Sequence, residues 1–238
     1  MNQSWSVVIF GYNESITLPS VVESVNNFLI NNQIQDKEII IIDDGSDDDT
    51  RKISENLIKK YSDIIYFRHE VNLGIGPALM NGYMKAVKEN VVAVPADGQF
   101  DINELSGYIN FPVKTFLSFF REDKKNYSLY RKFVTNTNQF INNKLLYLNI
   151  KDVNWVKAFK TKDLREIGLE IKSSIICSEI CAKLNLKGYK AIEILSVYHD
   201  RTAGKSRGAS IKTVSYAVKD ILSLIKVTGH FKKQLTKN

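Results

Sequence analysis

One feature constrains this chain above the rest: an alternation that runs through its first hundred residues. Short β-branched runs, each ended by glycine or acidic turn residues, are separated by longer stretches with apolar residues at helical spacing. Trp5 to Phe10 reads as a buried strand stopped at Gly11, Glu38 to Ile42 as a second, Ile64 to Phe67 as a third and Val91 to Val94 as a fourth. Between them, residues 15 to 31, Asp49 to Tyr61 and Pro77 to Asn90 read as helices. The first carries Val21, Val22, Val25, Phe28 and Leu29 as a stripe and Pro19 in its first turn. Strands joined by helices through short connections predict an α/β fold, with a mostly parallel central sheet and helices on both faces.

The second half is less regular. Thr115 to Phe120, Val153 to Phe159 and Ala191 to Val197 are expected as strands, residues 127 to 148 and Ile175 to Leu186 as helices, and Ile211 to Val227 as a last amphipathic helix. No Pro-rich linker or repeat divides the chain, so one domain is expected over residues 1–210, followed by a basic helical tail, 211–238.

Open parallel sheets bind ligands beyond the carboxyl ends of their strands. Three segments lie there: Tyr12 to Glu14, Asp43 to Asp49, and Asp97 to Asp101. In the second, Asp43 and Asp44 could accept hydrogen bonds from a ribose or a base, whereas Asp47 to Asp49 suit a helix N-cap and acidic first turn. The glycines of NLGIGPALMNG, 72 to 82, fit neither the dinucleotide fingerprint nor a P-loop. They permit close backbone approach at a helix start, with Gly76 either structural or lining a nucleotide pocket. In VPADGQFD, Asp97 with Gln99 could hold a hard divalent cation, or the segment could be a plain turn. Arg121 and Arg131 flank a charged loop, and Arg201, Lys205 and Ser206 sit on a glycine-containing one. Arginine suits bidentate phosphate contacts and lysine point-charge ones, although either loop could simply be solvated.

Charge and cysteine content narrow the classes. The net charge of +7 lies entirely in residues 199 to 238, which hold nine basic and two acidic side chains. Such asymmetry points to an anionic partner or to a solubilising tail. Helix-turn-helix, RRM and KH signatures are missing, and the strand-end motifs remove the case for nucleic acid. The longest uncharged stretch, Val71 to Met84, has 14 residues, short of a membrane span, and no signal peptide is evident. Cys177 and Cys181, four apart, are expected on one helix face as reduced apolar residues. His69, His199 and His230 read as surface or capped residues rather than catalysts.

Taken in order, VVIFGYNES, EIIIIDDGSDDDT, NLGIGPALMNG and ADGQFD resemble the family 2 glycosyltransferases. The resemblance implies a GT-A fold (a Rossmann-like sheet), a nucleotide-diphosphate sugar donor, and inverting transfer aided by Mg2+ or Mn2+. Within that family FFREDKKNYSLYRKFVTNTNQ, DVNWVKAFKTKDL, CSEICAKLNLKGYKAIEI and HDRTAGKSRGAS resemble segments of the dolichol-phosphate and polyprenyl-phosphate sugar transferases. It divides the domain into a donor half of about 1–101 and an acceptor half of about 102–210. By the same resemblance Phe10, Tyr12, Glu14, Asp44, Gly76, Ala96 and Asp97 line the donor pocket, and Asp97 and Gln99 face the metal. Arg121, Arg131, Thr135, Arg201, Lys205 and Ser206 meet the acceptor phosphate or the diphosphate, and Asp97, Arg121, Arg131 and Arg201 carry catalysis. One departure stands out. The family's metal motif commonly reads Asp-x-Asp-x-Gln, and Pro95 occupies the first carboxylate's place.

Three functions are consistent with these residues. The first is sugar transfer to a polyprenyl phosphate by a cytoplasmic enzyme held peripherally on the inner face of the membrane through its basic tail. The second is transfer to a saccharide hydroxyl in cell-surface polysaccharide synthesis, which needs a general base, for which Asp152 and Glu179 are the candidates. The third is a non-catalytic nucleotide-sugar binder. GDP-mannose and UDP-hexoses are all admissible donors.

Overall fold

The computed structural model describes residues 3–121, 150–200 and 211–237. A seven-stranded sheet runs through it in the order β3-β2-β1-β4-β6-β5-β7. Its strands are β1 (Trp5–Gly11), β2 (Lys37–Asp43), β3 (Ile64–Arg68), β4 (Asn90–Pro95), β5 (Thr115–Arg121), β6 (Lys157–Lys160) and β7 (Lys190–Ser196). The first four are mutually parallel. β6 is antiparallel to both β4 and β5, and β7 runs parallel to β5. Hence β1 to β5 and β7 all end on one edge of the sheet.

The uninterrupted apolar runs of β1 and β2 follow from burial on both faces, as parallel strands require. Alternate residues feed two cores. Val7 and Ile9 join Ile39, Ile41, Val92 and Val94 beneath α1 (Leu18–Asn31) and α2 (Thr50–Lys60). Val8, Ile40, Ile42, Val91 and Ala93 pack on the opposite face with α3 (Ile75–Lys85), α4 (Thr161–Ile167), α5 (Ile176–Leu186) and α6 (Ile211–Leu235). Six buried apolar side chains anchor α1, Leu18 to Leu29, at about 1.5–3 kcal/mol each as an upper bound. On the other face α3 sits so close to β1 that a Cβ on Gly82 would lie 2.3 Å from Val8 Cγ1.

Several boundaries differ from the periodicity. α3 stops at Lys85 instead of reaching Asn90. The amides that would continue it are taken elsewhere: Val87 N–H donates to Glu38, Glu89 N–H to the Ser4 hydroxyl and Asn90 N–H to the Ser4 carbonyl. β6 spans only Lys157–Lys160, because residues 152 to 155 turn under the Lys157 ammonium. α4 and a 3-10 helix, Ile102–Tyr108, had no sequence expectation. The helix expected over 127 to 148 lies outside the described residues.

The last helix runs to Leu235, beyond Val227, and is no free appendage. Leu224 and Thr228 are buried, with Val227 and Phe231 packed on the α5 side of the core. The described apolar residues of this helix are therefore divided between two faces. Leu222 and Ile225 are 64% and 41% exposed, while the neighbouring face is used for packing. Among the described residues no helix is long and apolar enough to cross a membrane.

Candidate active site

At the carboxyl edge of β1 and β4 a cleft of about 780 Å³ opens, within the range of small-molecule and cofactor sites. One wall comes from the ends of β1, β2 and β4 and the start of α3: Phe10, Tyr12, Asn13, Glu14, Asp44, Asn72, Gly74, Pro95, Ala96 and Asp97 line it. The opposite wall comes from the turn before β6 and the start of α5: Asn154, Trp155, Val156, Lys157, Ser174 and Cys177. Of the expected donor-pocket residues, Phe10, Tyr12, Glu14, Asp44, Ala96 and Asp97 are thus brought together.

Gly76 lies outside the lining. A Cβ there would stand 2.3 Å from the Ser173 carbonyl oxygen, so its role is to let α3 meet the backbone of the loop before α5. Gln99 is also outside it: its side-chain amide donates to the Tyr198 hydroxyl and, at 3.4 Å, to the His199 carbonyl. Arg121 is not on the cleft surface either. Its guanidinium pairs with Asp152 at 2.8 Å and stacks 4.3 Å from the centre of the Trp155 ring. Arg131, Thr135, Arg201, Lys205 and Ser206 lie outside the described residues.

The loops after β1, β2 and β3 are locked by their own carboxylates. Asp44 is buried, with Oδ1 accepting from Leu73 N–H at 3.0 Å and Oδ2 from Gly74 N–H at 2.7 Å. Its Oδ1 also meets His69 Nδ1 at 2.7 Å, and His69 Nε2 meets Asn81 Nδ2 at 2.7 Å. With Nδ1–H donating to the carboxylate, Nε2 accepts from the Asn81 amide. His69 is thus part of the site's framework, not a surface residue. Its only sequence signal was its place just past β3.

The acidic cluster after β2 clasps the loop after β1. Asp47 accepts the Tyr12 hydroxyl, and its backbone N–H donates to Asn13 Oδ1 at 2.8 Å. Asn13 adopts φ +58, a left-handed conformation that asparagine tolerates better than most residues. Of the residues Asp47 to Asp49, Asp49 holds the N-cap position of α2 without a side-chain cap bond, while Asp48 before it accepts from Thr50 N–H at 3.0 Å and Ser15 N–H at 3.2 Å. Partial burial raises the Asp48 carboxyl, but the Thr50 and Ser15 bonds outweigh it and hold it below the ordinary aspartate value.

The other wall holds residues that sequence patterns did not single out. Trp155 donates its indole N–H to Ser196 at 2.9 Å. Lys157 is 1% exposed, its Nζ donating to the carbonyls of Asp152 at 2.8 Å and Trp155 at 3.4 Å. A lone charge inside the apolar run Val156-Ala158-Phe159 was the signal that could have found it. Cys177 and Cys181 are free and buried on α5, as expected. Burial pushes both thiols up, Cys181 to about 12, against the opposing pull of Lys157.

Neither candidate general base faces the cleft. Glu179 is fully buried, accepting from Glu170 N–H at 2.9 Å and Ile171 N–H at 2.8 Å and pairing with Lys183 at 2.8 Å. Asp152 is committed to Arg121.

A divalent cation can be tested against these groups. Among the described residues no three His, Cys, Asp or Glu side chains converge. Asp97 supplies one carboxylate at the cleft wall, Pro95 supplies none, and the Gln99 amide is turned toward Tyr198 and His199. That set does not fit a protein cage. It does fit an ion that arrives with a diphosphate, because Mg2+ usually keeps several waters and takes one or two carboxylates plus substrate phosphates.

Comparison with known proteins agrees with this architecture. The pattern of Glycosyl transferase family 2 matches residues 6–163, and the chain belongs to that family. A dolichyl-phosphate beta-glucosyltransferase of Trichomonas vaginalis is 34% identical over 103 residues, 42% of this chain and 32% of that protein. One from Dictyostelium discoideum is 35% identical over 107 residues, 42% and 33%. A cholesterol galactosyltransferase of Borreliella burgdorferi is 32% identical over 105 residues, 44% and 28%. The matched region spans about a third of each relative's length. Among solved structures, glucosyl-3-phosphoglycerate synthase of Mycobacterium tuberculosis superposes with TM-score 0.63 at 16% identity, over 95% of this chain and 80% of that one. A mannosyltransferase of Pyrobaculum calidifontis, in complex with GDP-Man and Mn2+, gives 0.62 at 16%, over 97% and 70%. The α/β fold expected from the strand–helix alternation, and the GT-A fold implied by the family resemblance, are therefore the fold of this chain.

Proposed function

We propose that this chain transfers a sugar, with inversion, from a nucleotide-diphosphate sugar to the phosphate of a polyprenyl phosphate. The observation that carries this reading is the wall of the cleft opposite the donor loops. Among its described lining residues there is a lysine and no carboxylate. A hydroxyl acceptor needs a general base in reach, whereas a phosphate is already anionic at neutral pH and needs only positioning and charge neutralisation. The names of the dolichyl-phosphate relatives support the same acceptor class.

In this reading Tyr12, Glu14 and Asp44 receive the nucleoside, on loops the acidic cluster has already ordered. Asp97 would hold Mg2+ or Mn2+, which supplies charge neutralisation for the departing diphosphate. Arg121, fixed against Trp155 by Asp152, lies behind the acceptor wall, and Arg131, Thr135, Arg201, Lys205 and Ser206 complete the phosphate contacts. The exposed edge of α6, with Leu222, Ile225, Lys226, Lys232 and Lys233, rests on an anionic leaflet on the cytoplasmic side. Each basic side chain near such a surface contributes about 1 kcal/mol.

The test is a transfer assay with labelled nucleotide sugar and polyprenyl phosphate in the presence of Mn2+. Label extracted into organic solvent is the expected result. Label found only in water-soluble glycans, or donor binding without turnover, overturns the reading.

A further inference from the structure

Among the described residues three lysines are buried: Lys157, Lys160 and Lys183, at 1%, 7% and 1% exposure. Two have carboxylate partners. Lys160 pairs with Glu89 at 3.1 Å, and Lys183 with Glu179 at 2.8 Å and Glu170 at 2.9 Å. Lys157 has none among the described residues. The nearest acidic side chain along the chain, Asp152, gives Lys157 its backbone carbonyl and gives its carboxylate to Arg121.

Burying an ammonium without a counter-charge is costly, and the cost is ordinarily met by pairing or by loss of the proton. Two carbonyls satisfy two of the three N–H donors of Lys157. Among the described residues the third donor and the positive charge find no partner. Of the three buried lysines, this is the one that lines the cleft. Every acidic lining residue, Glu14, Asp44 and Asp97, belongs to the opposite wall.

We infer that Lys157 is a phosphate-binding residue whose missing counter-ion is a phosphate of the bound substrate. Asp152 is its positioning residue: one side chain and its own carbonyl hold Arg121 and Lys157 on the two sides of a single turn. The phosphate has two sources, the diphosphate of the donor and the phosphate of the acceptor, and the inference rests on the glycosyl-transfer reading above.

The test compares the wild type with Lys157→Met, which keeps the length of the side chain and removes the charge, and with Lys157→Arg. Calorimetric titration with UDP, GDP, uridine and guanosine reads the donor arm. The KM for farnesyl phosphate, a short soluble polyprenyl phosphate, reads the acceptor arm. A charged hydrogen bond corresponds to about tenfold to a hundredfold in affinity. That loss is expected in Lys157→Met in one arm, with nucleoside binding unchanged, and Lys157→Arg should recover part of it. The melting temperature of Lys157→Met should stay level or rise, because an uncompensated buried charge has gone. A fall in melting temperature, with nucleoside diphosphate affinity and farnesyl phosphate KM both unchanged, makes Lys157 purely structural and overturns the inference. If wild type binds UDP or GDP but glycosylates no polyprenyl phosphate, the functional reading fails while the donor arm still decides the inference. If wild type binds no nucleotide and no farnesyl phosphate, both fail.

Discussion

Along the wall built on β1, β2 and β4, carboxylates carry the polar chemistry, and the backbone amides and side chains of neighbouring loops occupy them. Along the wall from Asn154 to Cys177, the chemistry is cationic and aromatic: Lys157 lies in the lining, with Arg121 stacked behind Trp155. The first wall is finished before any ligand arrives; the second contains a charge that the described residues leave unbalanced. A cleft with these two walls is asymmetric by construction. Hydroxyl-rich and metal-bearing parts of a substrate suit the first wall, and anionic parts suit the second.

Four experiments put that contrast at risk. The largest effect is expected from Glu179→Ala, which leaves Lys183 with Glu170 alone as a carboxylate partner and frees the loop at 170–171. Breaking a buried pair costs about 3–5 kcal/mol, measurable by urea unfolding. The surviving folded protein should still bind nucleotide; loss of turnover with full stability would return Glu179 to the candidate bases. Asp97→Asn comes next, with turnover falling about 10²–10³-fold and little change in stability, since an asparagine oxygen still accepts from Gln99 N–H. Activity that survives this change, with or without Mn2+, would remove Asp97 from the first wall's chemistry.

Gly76→Ala tests the seam between the walls. A Cβ 2.3 Å from the Ser173 carbonyl forces backbone to move, at a cost of about 1–3 kcal/mol. For a chain of this size, each of those kcal/mol lowers the melting temperature by about 2–4 °C. An unchanged melting temperature would show that the walls can part freely.

The smallest effect is expected at Glu104, which accepts from Val197 N–H at 2.8 Å and so ties the segment after β4 to the end of β7. Burial raises its carboxyl above the ordinary glutamate value, against the bonds from Ser196 and Val197. A raised carboxyl favours the folded state when protonated. That contribution is therefore present at low pH and fades as pH rises through the raised value. Glu104→Gln should flatten the dependence of melting temperature on pH just above the ordinary glutamate range; an identical slope would refute the assignment.

The two walls also differ in how far the sequence exposed them. The wall built on β1, β2 and β4 was legible because its elements announce themselves: EIIII must be a buried strand, and residues just past a strand end in a parallel sheet face the ligand. Tyr12, Glu14, Asp44 and Asp97 were found by that rule, and the family resemblance added Phe10 and Ala96. Gly76 and Gln99 were assigned by position in a motif, and neither lines the cleft, because motif position does not say whether a glycine faces ligand or backbone. The far wall was hidden for a different reason. Lys157 and Trp155 get their places from a turn closed by long-range partners, Ser196 at the end of β7 and Arg121 at the end of β5, which no local period encodes. The cysteines were read correctly because a four-residue spacing fixes a helix face whatever it packs against.

The placing of β6 between β4 and β5 has a consequence for the birth of the protein on the ribosome. Asn90 to Val92 pair with Lys160 to Ala158, so the outer edge of β4 stays open while roughly 70 further residues are added. At about 5–20 residues per second this edge is exposed for about 4–14 seconds. During that time it presents an unpaired row of apolar strand to any neighbouring nascent chain. Lys85, Lys88 and Glu89, set just ahead of it, are the charged guards such a delay calls for.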